Sequence, residues 1–416
     1  MPATKNRVVI TGLGVLTPVG ATVDSYWNAL LAGQSGAGKI TRFDTTGHSV
    51  TFAAEVKNFN PDQYMDPKEA KRMDLFAQYA VAAAKGAVED AKLDFSKEDR
   101  FRCGAIIASG IGGLTEMQDQ NKKYLEKGPG RISPFFVPKM MLNAAAGHIA
   151  IAHGLGGPNW GVASACASAN HTMGTALRTI QYGDADVMLT GGSEAAMTYL
   201  AIAGFANMGA LSTLNDNPAR ASRPFDKNRN GFVLGEGAAI LVFEKLEHAQ
   251  ARGAKIYAEV LGIGNSDDAY HITAPDPDGT GGAYAMNAAL KDAGLKPEQI
   301  SYINAHGTST PMNDKIETAA IRRTFGDSAK KIPVSSTKSM IGHLLGAAAA
   351  VELVATVLSI RDGVVHPTIN YETPDPECDL DYVPNEKRAV DVRYAMSNSL
   401  GFGGHNSAIV VGKFQK

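Results

Sequence analysis

The stretch GVASACASANHTMGTALRTI, residues 161–180, opens on strand residues that end near Ala163 and passes into a helical pattern from about Ala167. A buried strand that runs straight into a helix is the repeating unit of α/β folds. The same alternation continues outward to both ends of the chain. RVVITG (7–12), GAIIAS (104–109), DVMLTG (186–191), AAILVFE (238–244), KIYAEVLGIG (255–264), SYINAH (301–306) and NSAIVVGK (406–413) read as short buried strands. Helical patterns cover 67–92, 140–153, 166–182, 281–294 and 343–361. Strands of this kind, separated by helices of this length, predict largely parallel sheets covered on both faces. The predicted class is α/β. No linker rich in Pro, Ser or charge divides the chain. The nearest boundary is HAQARGAK (248–255), which gives halves 1–254 and 255–416 with no internal repetition legible between them.

Composition narrows the function classes. The chain has 416 residues, with 40 Lys plus Arg against 42 Asp plus Glu and a formal net charge of −2. That balance lacks the basic stripe that wholesale nucleic-acid binding needs. Hydrophobic residues make up 44%, ample for a large core and incompatible with a mainly disordered chain. The 44 glycines exceed the usual share of about 7% and are scattered rather than periodic, as tight turns and close backbone approaches require. Three cysteines at 103, 166 and 378, with no CxxC spacing, support neither a zinc knot nor a disulfide framework. MPATKNRVVITG enters a strand pattern at once, and 344–360 is interrupted by Glu352. No secretory leader or membrane span is expected, and a cytoplasmic protein is.

Four segments carry chemistry. Cys166 sits at the strand-to-helix junction, where unpaired N–H groups and the helix dipole favour an anion and predict a lowered thiol pKa. Set against this, a Cys among Ala and Ser is more often a small buried hydrophobe. In INAHGTSTPMND (303–314), His306 ends an apolar strand before a turn rich in hydroxyls. It is a candidate base or donor, or simply a turn residue. In VSSTKSMIGHLLGAAAAVE (334–352), Lys338 precedes His343 by five residues and Glu352 follows it by nine. An acid in such an Ala-rich helix needs a partner if it is buried. In SNSLGFGGHN (397–406), glycines surround Phe402, as a sharp turn or a mobile segment requires; a glycine hairpin is the plainer alternative. Gly12-Leu-Gly14 misses the dinucleotide fingerprint. Gly191-Gly192-Ser193-Glu194-Ala195 is one residue short of a hydrolase nucleophile elbow, which makes Ser193 a rival nucleophile.

Taken in order over essentially the whole chain, these words resemble the β-ketoacyl-acyl carrier protein synthases of the thiolase-like condensing enzymes, and most nearly their elongating synthase II branch. The resemblance implies a five-layered αβαβα fold of two similar halves and a homodimer. It implies Cys166 as nucleophile, His306 and His343 as active-site histidines, Lys338 as the structural lysine, Glu352 as the buried acid and Phe402 as the gate. The implied reaction loads an acyl group onto Cys166, with an oxyanion held by the N–H groups of Cys166 and Phe402. Malonyl-acyl carrier protein then loses CO2, and two neutral histidines stabilise the enolate that attacks the acyl group. The product is 3-ketoacyl-acyl carrier protein in fatty acid elongation; a ketosynthase of a type II polyketide pathway shares all four motifs. A non-catalytic partner subunit is the third alternative, set against the intact Cys/His/His set.

Further positions follow from the same resemblance. Thr308 and Thr310 match pantetheine-contacting hydroxyls, and Ile111, Phe136 and Phe205 match the acyl pocket. Lys68, Arg72 and Arg131 match a docking patch for the acidic carrier protein, or else are solvated surface charges. No redox cofactor is required. Asn304, Glu352, Ser397 and Asn406 match polar residues that hold a monovalent cation in some relatives. Two departures stand out. Ala169 replaces a frequent Gly on the nucleophile helix, and Gly209 and Leu214 stand where relatives often carry Arg.

Overall fold

The structure, a computed structural model, describes residues 5–415. Residues 1–4, on which the reading of the N-terminus partly rests, lie outside them. The first half contributes strands β1 (Val8–Leu16), β2 (Cys103–Ala108), β3 (Asn159–Val162), β4 (Val187–Glu194) and β5 (Gly237–Lys245). The second contributes β6 (Ala258–Asp267), β7 (Tyr302–Asn304), β8 (Val334–Ser335), β9 (Tyr394–Gly401) and β10 (His405–Gly412). The spatial order is β8-β7-β9-β10-β6-β1-β5-β4-β2-β3. From the centre outward, each half therefore runs first, fifth, fourth, second, third. The directions repeat as well: the two pairs nearest the centre are antiparallel and the two outer pairs parallel in both halves. The halves join where Val8–Ile10 of β1 pairs antiparallel with Ala258–Val260 of β6.

The expectation of largely parallel sheets is corrected here, since five of the nine pairings are antiparallel. The reason lies partly in the tail. Gly403 and Gly404, at φ +83° and +81°, turn the chain back on itself so that β9 and β10 form a hairpin.

Six helices complete the layers: α1 (Leu75–Ala91), α2 (Ala144–His153), α3 (Ser168–Gln181), α4 (Thr280–Ala293), α5 (Pro311–Phe325) and α6 (Ala348–Asp362). α1 and α2 cover the outer face of the first half's five strands, and α4, with α5 packed on it, covers that of the second half's. α3 and α6 lie between these two five-stranded layers and touch both. This is the five-layered αβαβα thiolase-like arrangement. It explains why α6 is buried on every side from Ala348 to Ile360 and why the sheet strands read as continuous apolar runs.

The halves share a glycine device that the sequence reading passed over. In β1, a Cβ at Gly12 or Gly14 would lie 2.2 or 1.9 Å from carbonyl oxygens of α1. In β6, a Cβ at Gly262 or Gly264 would lie 2.7 or 2.0 Å from carbonyl oxygens of α4. Each G-x-G lets the outer helix rest directly on the first strand of its half. Gly12-Leu-Gly14 is thus a packing element, not a truncated nucleotide motif.

Candidate active site

Cys166 stands just before α3, reached from the end of β3 through a kink at Ala165, whose φ of +48° is costly for a residue with a Cβ. Three local bonds hold the kink. The Ser168 hydroxyl donates to the Ala165 carbonyl (2.6 Å) and accepts the Ser164 N–H (2.8 Å), while Ser164 Oγ lies 2.6 Å from His171 Nδ1. The buried Ala169, where relatives often have Gly, fits because its methyl faces Gly192 of β4.

His343 comes from the second half. The predicted helix over 343–361 starts later, at Ala348; Gly342 (φ +72°) and Leu345 (φ +48°) turn the chain first, which leaves His343 at a loop position facing Cys166. Its Nε2 is 3.1 Å from Cys166 Sγ, and its Nδ1 accepts the N–H of Leu345 at 3.1 Å. Because Nδ1 is the acceptor, the proton of the neutral ring sits on Nε2 and points at the sulfur. His306 lies alongside, its ring centroid 5.3 Å from that of His343 and the planes at 85°. Both rings are buried and held well below the usual histidine range, first by burial and then by the nearby Lys338 charge.

Lys338 and Glu352 form a buried ion pair beneath the rings, so the acid flagged in the Ala-rich segment has its partner. The Cys166 thiol does not behave as its junction suggested. Burial pushes it up to about 11, and Lys338 and the backbone N–H groups of Phe402 and Cys166 offset this only in part. Helix-end stabilisation is real here but smaller than the cost of removing a thiolate from water.

A cavity of about 550 Å³ opens over the thiol between the two halves. Ile111, Phe205, Thr308, Thr310 and Phe402 line it together with Cys166 and both histidines. The two threonine hydroxyls are 2.9 Å apart. Phe402 sits in the β9–β10 turn, where the Gly403 N–H donates to the Ile272 carbonyl (2.7 Å). A Cβ on Gly401 would crowd the N–H groups of Cys166 and Ala167 at 3.1 and 3.2 Å, so the tail lies directly on the nucleophile junction.

Other expected positions fall elsewhere. Phe136 does not line this cavity; it lies on the short helix Phe136–Met140 at the surface beside the exposed Phe135 and Val137. Asn406 is not with the oxygen cluster, because its amide donates to Asp268 (2.6 Å) and to the Gly404 carbonyl (3.1 Å) at the cavity wall. The other three converge: Asn304 and Ser397 are register partners on β7 and β9, and the Asn304 amide lies 3.5 Å from the Glu352 carbonyl. Asn304 Oδ1, Glu352 Oε2 and Ser397 Oγ are buried with no hydrogen-bond partner among the described residues. Lys68, Arg72 and Arg131 are exposed outside the cavity, and Arg72 stacks over Phe135 at 5.3 Å while pairing with Glu69. Ser193, the rival nucleophile, is fully buried and donates to the Phe76 carbonyl at 2.6 Å, so its hydroxyl is committed to the core.

The sulfur and the two histidines, with ligand atoms within 4.8 Å of one another, resemble a metal set. The His343 hydrogen bonds oppose that use, since Nε2 carries the proton and has no free lone pair. A residue missed in the sequence is Glu317 on α5, whose carboxylate accepts the N–H groups of His306 and Gly307, both at 2.8 Å, and is raised to about 7 by burial. The signal was present: like Glu352, it is an acid set among Ala and Ile.

Comparison with known proteins agrees with this geometry. Residues 5–249 match the family model for the beta-ketoacyl synthase N-terminal domain, and 257–372 match that for the C-terminal domain. The chain is 54% identical over 409 residues to 3-oxoacyl-[acyl-carrier-protein] synthase 2 of Staphylococcus aureus (strain COL), covering 98% of this chain and 99% of that one. The same identity holds over 411 residues with the Synechocystis enzyme of that name, at 99% of both chains. A solved type II polyketide ketosynthase, in complex with its acyl-carrier protein and bound to a hexaketide, superposes with a TM-score of 0.92 at 38% identity, over 99% of this chain and 100% of that one. The chain belongs to the beta-ketoacyl synthase family.

Proposed function

We propose that this enzyme elongates fatty acyl chains by decarboxylative condensation of malonyl-acyl carrier protein with an acyl group carried on Cys166. The observation that carries this reading is the Nε2–H of His343 aimed at the Cys166 sulfur from 3.1 Å, with His306 beside it in one cavity. Cys166 sulfur attacks the acyl carrier thioester, and the N–H groups of Cys166 and Phe402 hold the oxyanion until the carrier thiol leaves with the proton. Malonyl thioester then enters past Thr308 and Thr310. The bond to its carboxylate breaks and CO2 departs, leaving the electron pair as an enolate. Neutral His306 and His343 donate to the enolate oxygen, as only uncharged, low-pKa rings can without giving up a full proton. The enolate carbon bonds to the acyl carbon and expels the Cys166 thiolate, giving the 3-ketoacyl carrier product. Lys338, held by Glu352, supplies positive charge near both steps, and Phe402 gates the change from acyl to malonyl substrate. Ile111 and Phe205 bound the acyl chain. The higher identity to the synthase 2 relatives, 54% against 38% to the polyketide enzyme, favours fatty acid elongation.

The wider reading extends from the same site. The chain divides into a nucleophile half, 1–254, and a histidine half, 255–416. An acidic carrier protein docks on Lys68, Arg72 and Arg131, which the Arg72–Phe135 contact draws toward one surface. A second copy of the chain covers the exposed edge strand β3 and the apolar residues beside it, among them Trp160, Val137, Met141 and Ile151. Phe136 then approaches the acyl chain across that interface. A monovalent cation held by Asn304, Glu352 and Ser397 answers their three unpaired oxygens, and would make thermal stability depend on K⁺ or Na⁺ in wild type and not in Ser397→Ala. Among the described residues no helix is long and apolar enough to cross a membrane, consistent with work in the cytoplasm.

The test is to separate the two half-reactions. His306→Ala and His343→Ala load acyl groups on Cys166 but release CO2 from malonyl carrier about 10²–10³-fold more slowly for each donor removed. Unchanged CO2 release in both variants would overturn the assignment.

A further inference from the structure

Glu194, at the end of β4, takes no part in the chemistry described above, yet it is fully buried close to the thiol. Its carboxylate accepts four hydrogen bonds: the Ser109 hydroxyl (2.9 Å) and the N–H groups of Gly110 (2.7 Å), Ile111 (3.2 Å) and Gly346 (2.9 Å). Three of the partners are N–H groups that can only donate, so they favour an ionised, acceptor-only carboxylate against the burial that pushes its pKa up. A burial of this kind without a cation is expensive unless every lone pair is used, and here both oxygens are each bonded twice. The partners come from two segments that share no other covalent or sheet link. Gly110 and Ile111 follow β2 in the first half and line the cavity. Gly346 follows His343 in the second half. The segments touch so closely that a Cβ on Gly346 would lie 2.1 Å from the Gly110 nitrogen.

The chain of contacts continues to the reacting atoms. Gly346, fixed by Glu194, is preceded by Leu345, whose N–H sets the His343 tautomer. Ile111, fixed on the other side, is a wall of the cavity over Cys166. We propose that Glu194 is a positioning residue that clamps these two segments together, holding the acyl-pocket wall at Ile111 and the proton on His343 Nε2 in register with Cys166, and thereby limiting the length of acyl chain the enzyme accepts. Its negative charge also opposes thiolate formation at Cys166. The clamp rests on the reading of the cavity as the acyl site.

The experiment compares Glu194→Gln and Ser109→Ala with wild type, each first shown by circular dichroism to be folded. Gln keeps the size but turns an amide donor against N–H donors and removes the charge. Ser109→Ala removes one of the four bonds and leaves the charge. The readouts are the ratio of kcat/KM for a long against a short acyl carrier substrate, and the rate of Cys166 alkylation by iodoacetamide at pH 8. In Glu194→Gln the long-to-short ratio rises at least threefold and alkylation becomes several-fold faster. In Ser109→Ala the ratio moves the same way by less, while alkylation stays at the wild-type rate. Unchanged ratios in the folded variants overturn the proposal, and if Glu194→Gln does not fold, Ser109→Ala decides alone. Should wild type form no acyl adduct with any carrier substrate, the acyl-site reading fails, and equal alkylation rates in wild type and Glu194→Gln would then overturn the coupling to Cys166 as well.

Discussion

Cys166 and His343 are joined by a hydrogen bond whose direction is set by a third party, the Leu345 N–H on His343 Nδ1. A donor histidine cannot be the base that ionises the thiol, so the geometry of His343 fits the enolate step proposed for it. Their lowered pKa values have a direct consequence. Carbon dioxide release from malonyl carrier by acyl-loaded enzyme should be flat between about pH 6 and 8, because rings held well below the ordinary value near 6.5 stay neutral throughout. A loss of rate with a midpoint near 6.5 would show that a charged ring enters that window. Ser193 supplies the complementary check. Ser193→Ala should keep near-wild-type turnover and lose about 1 kcal/mol of stability with the bond to the Phe76 carbonyl, read by urea unfolding. At this scale the sequence was informative about which residues come together and poor about their state. Cys166, His306 and His343 sit in recognisable words, whereas the thiol pKa depends on burial by distant segments such as 401–404 and cannot be read from its own helix.

Between elements, the energetics rest on close approach and on buried charge pairs, of which Lys338–Glu352 lies at the site. Gly264→Ala would place a methyl 2.0 Å from the Ala285 carbonyl oxygen and prise α4 from β6. The expected loss is at the upper end of the about 1–3 kcal/mol typical of overpacking, measured as a fall in the urea midpoint. An unchanged midpoint would mean that the helix yields freely. Lys338→Met should cost more, about 3–5 kcal/mol, because it strands the Glu352 carboxylate in the core, and Lys338→Met with Glu352→Leu should recover much of it. Elements with strong Val/Ile runs were legible to within a few residues. Those that were not have physical reasons. The helix assigned from 343 begins at Ala348 because Leu345, at positive φ, intervenes, and apolar composition alone does not register a loop made of His, Leu and Gly. β9 was hidden because Ser397, Asn398 and Ser399 carry polar groups into the interior, as a strand lining a site does. The antiparallel pairings were hidden because strand direction is set by connections, not by strand composition.

At the scale of the whole molecule, the duplicated order of five strands places Cys166 of one half against His306 and His343 of the other, so neither half holds the site alone. The repeat was not visible as repeated words, yet the paired G-x-G of β1 and β6 is its trace in the sequence, maintained by helix packing rather than by chemistry. The proposed docking surface is the part that local sequence describes least, since isolated basic residues acquire meaning only when 67–72 and 131–135 meet. Arg131→Glu should raise the KM for acyl carrier protein severalfold and leave kcat within about twofold, checked by steady-state kinetics; an unchanged KM would remove that residue from the patch. Whether acyl transfer and condensation both pass through Cys166 is decided by intact mass after incubation with acyl carrier protein and then with malonyl carrier protein. Wild type should gain one acyl group, Cys166→Ala none, and the adduct should discharge to a 3-ketoacyl carrier product two carbons longer when malonyl carrier is added. Failure of wild type to take up any acyl group, or an adduct that persists in Cys166→Ala, would contradict passage through Cys166.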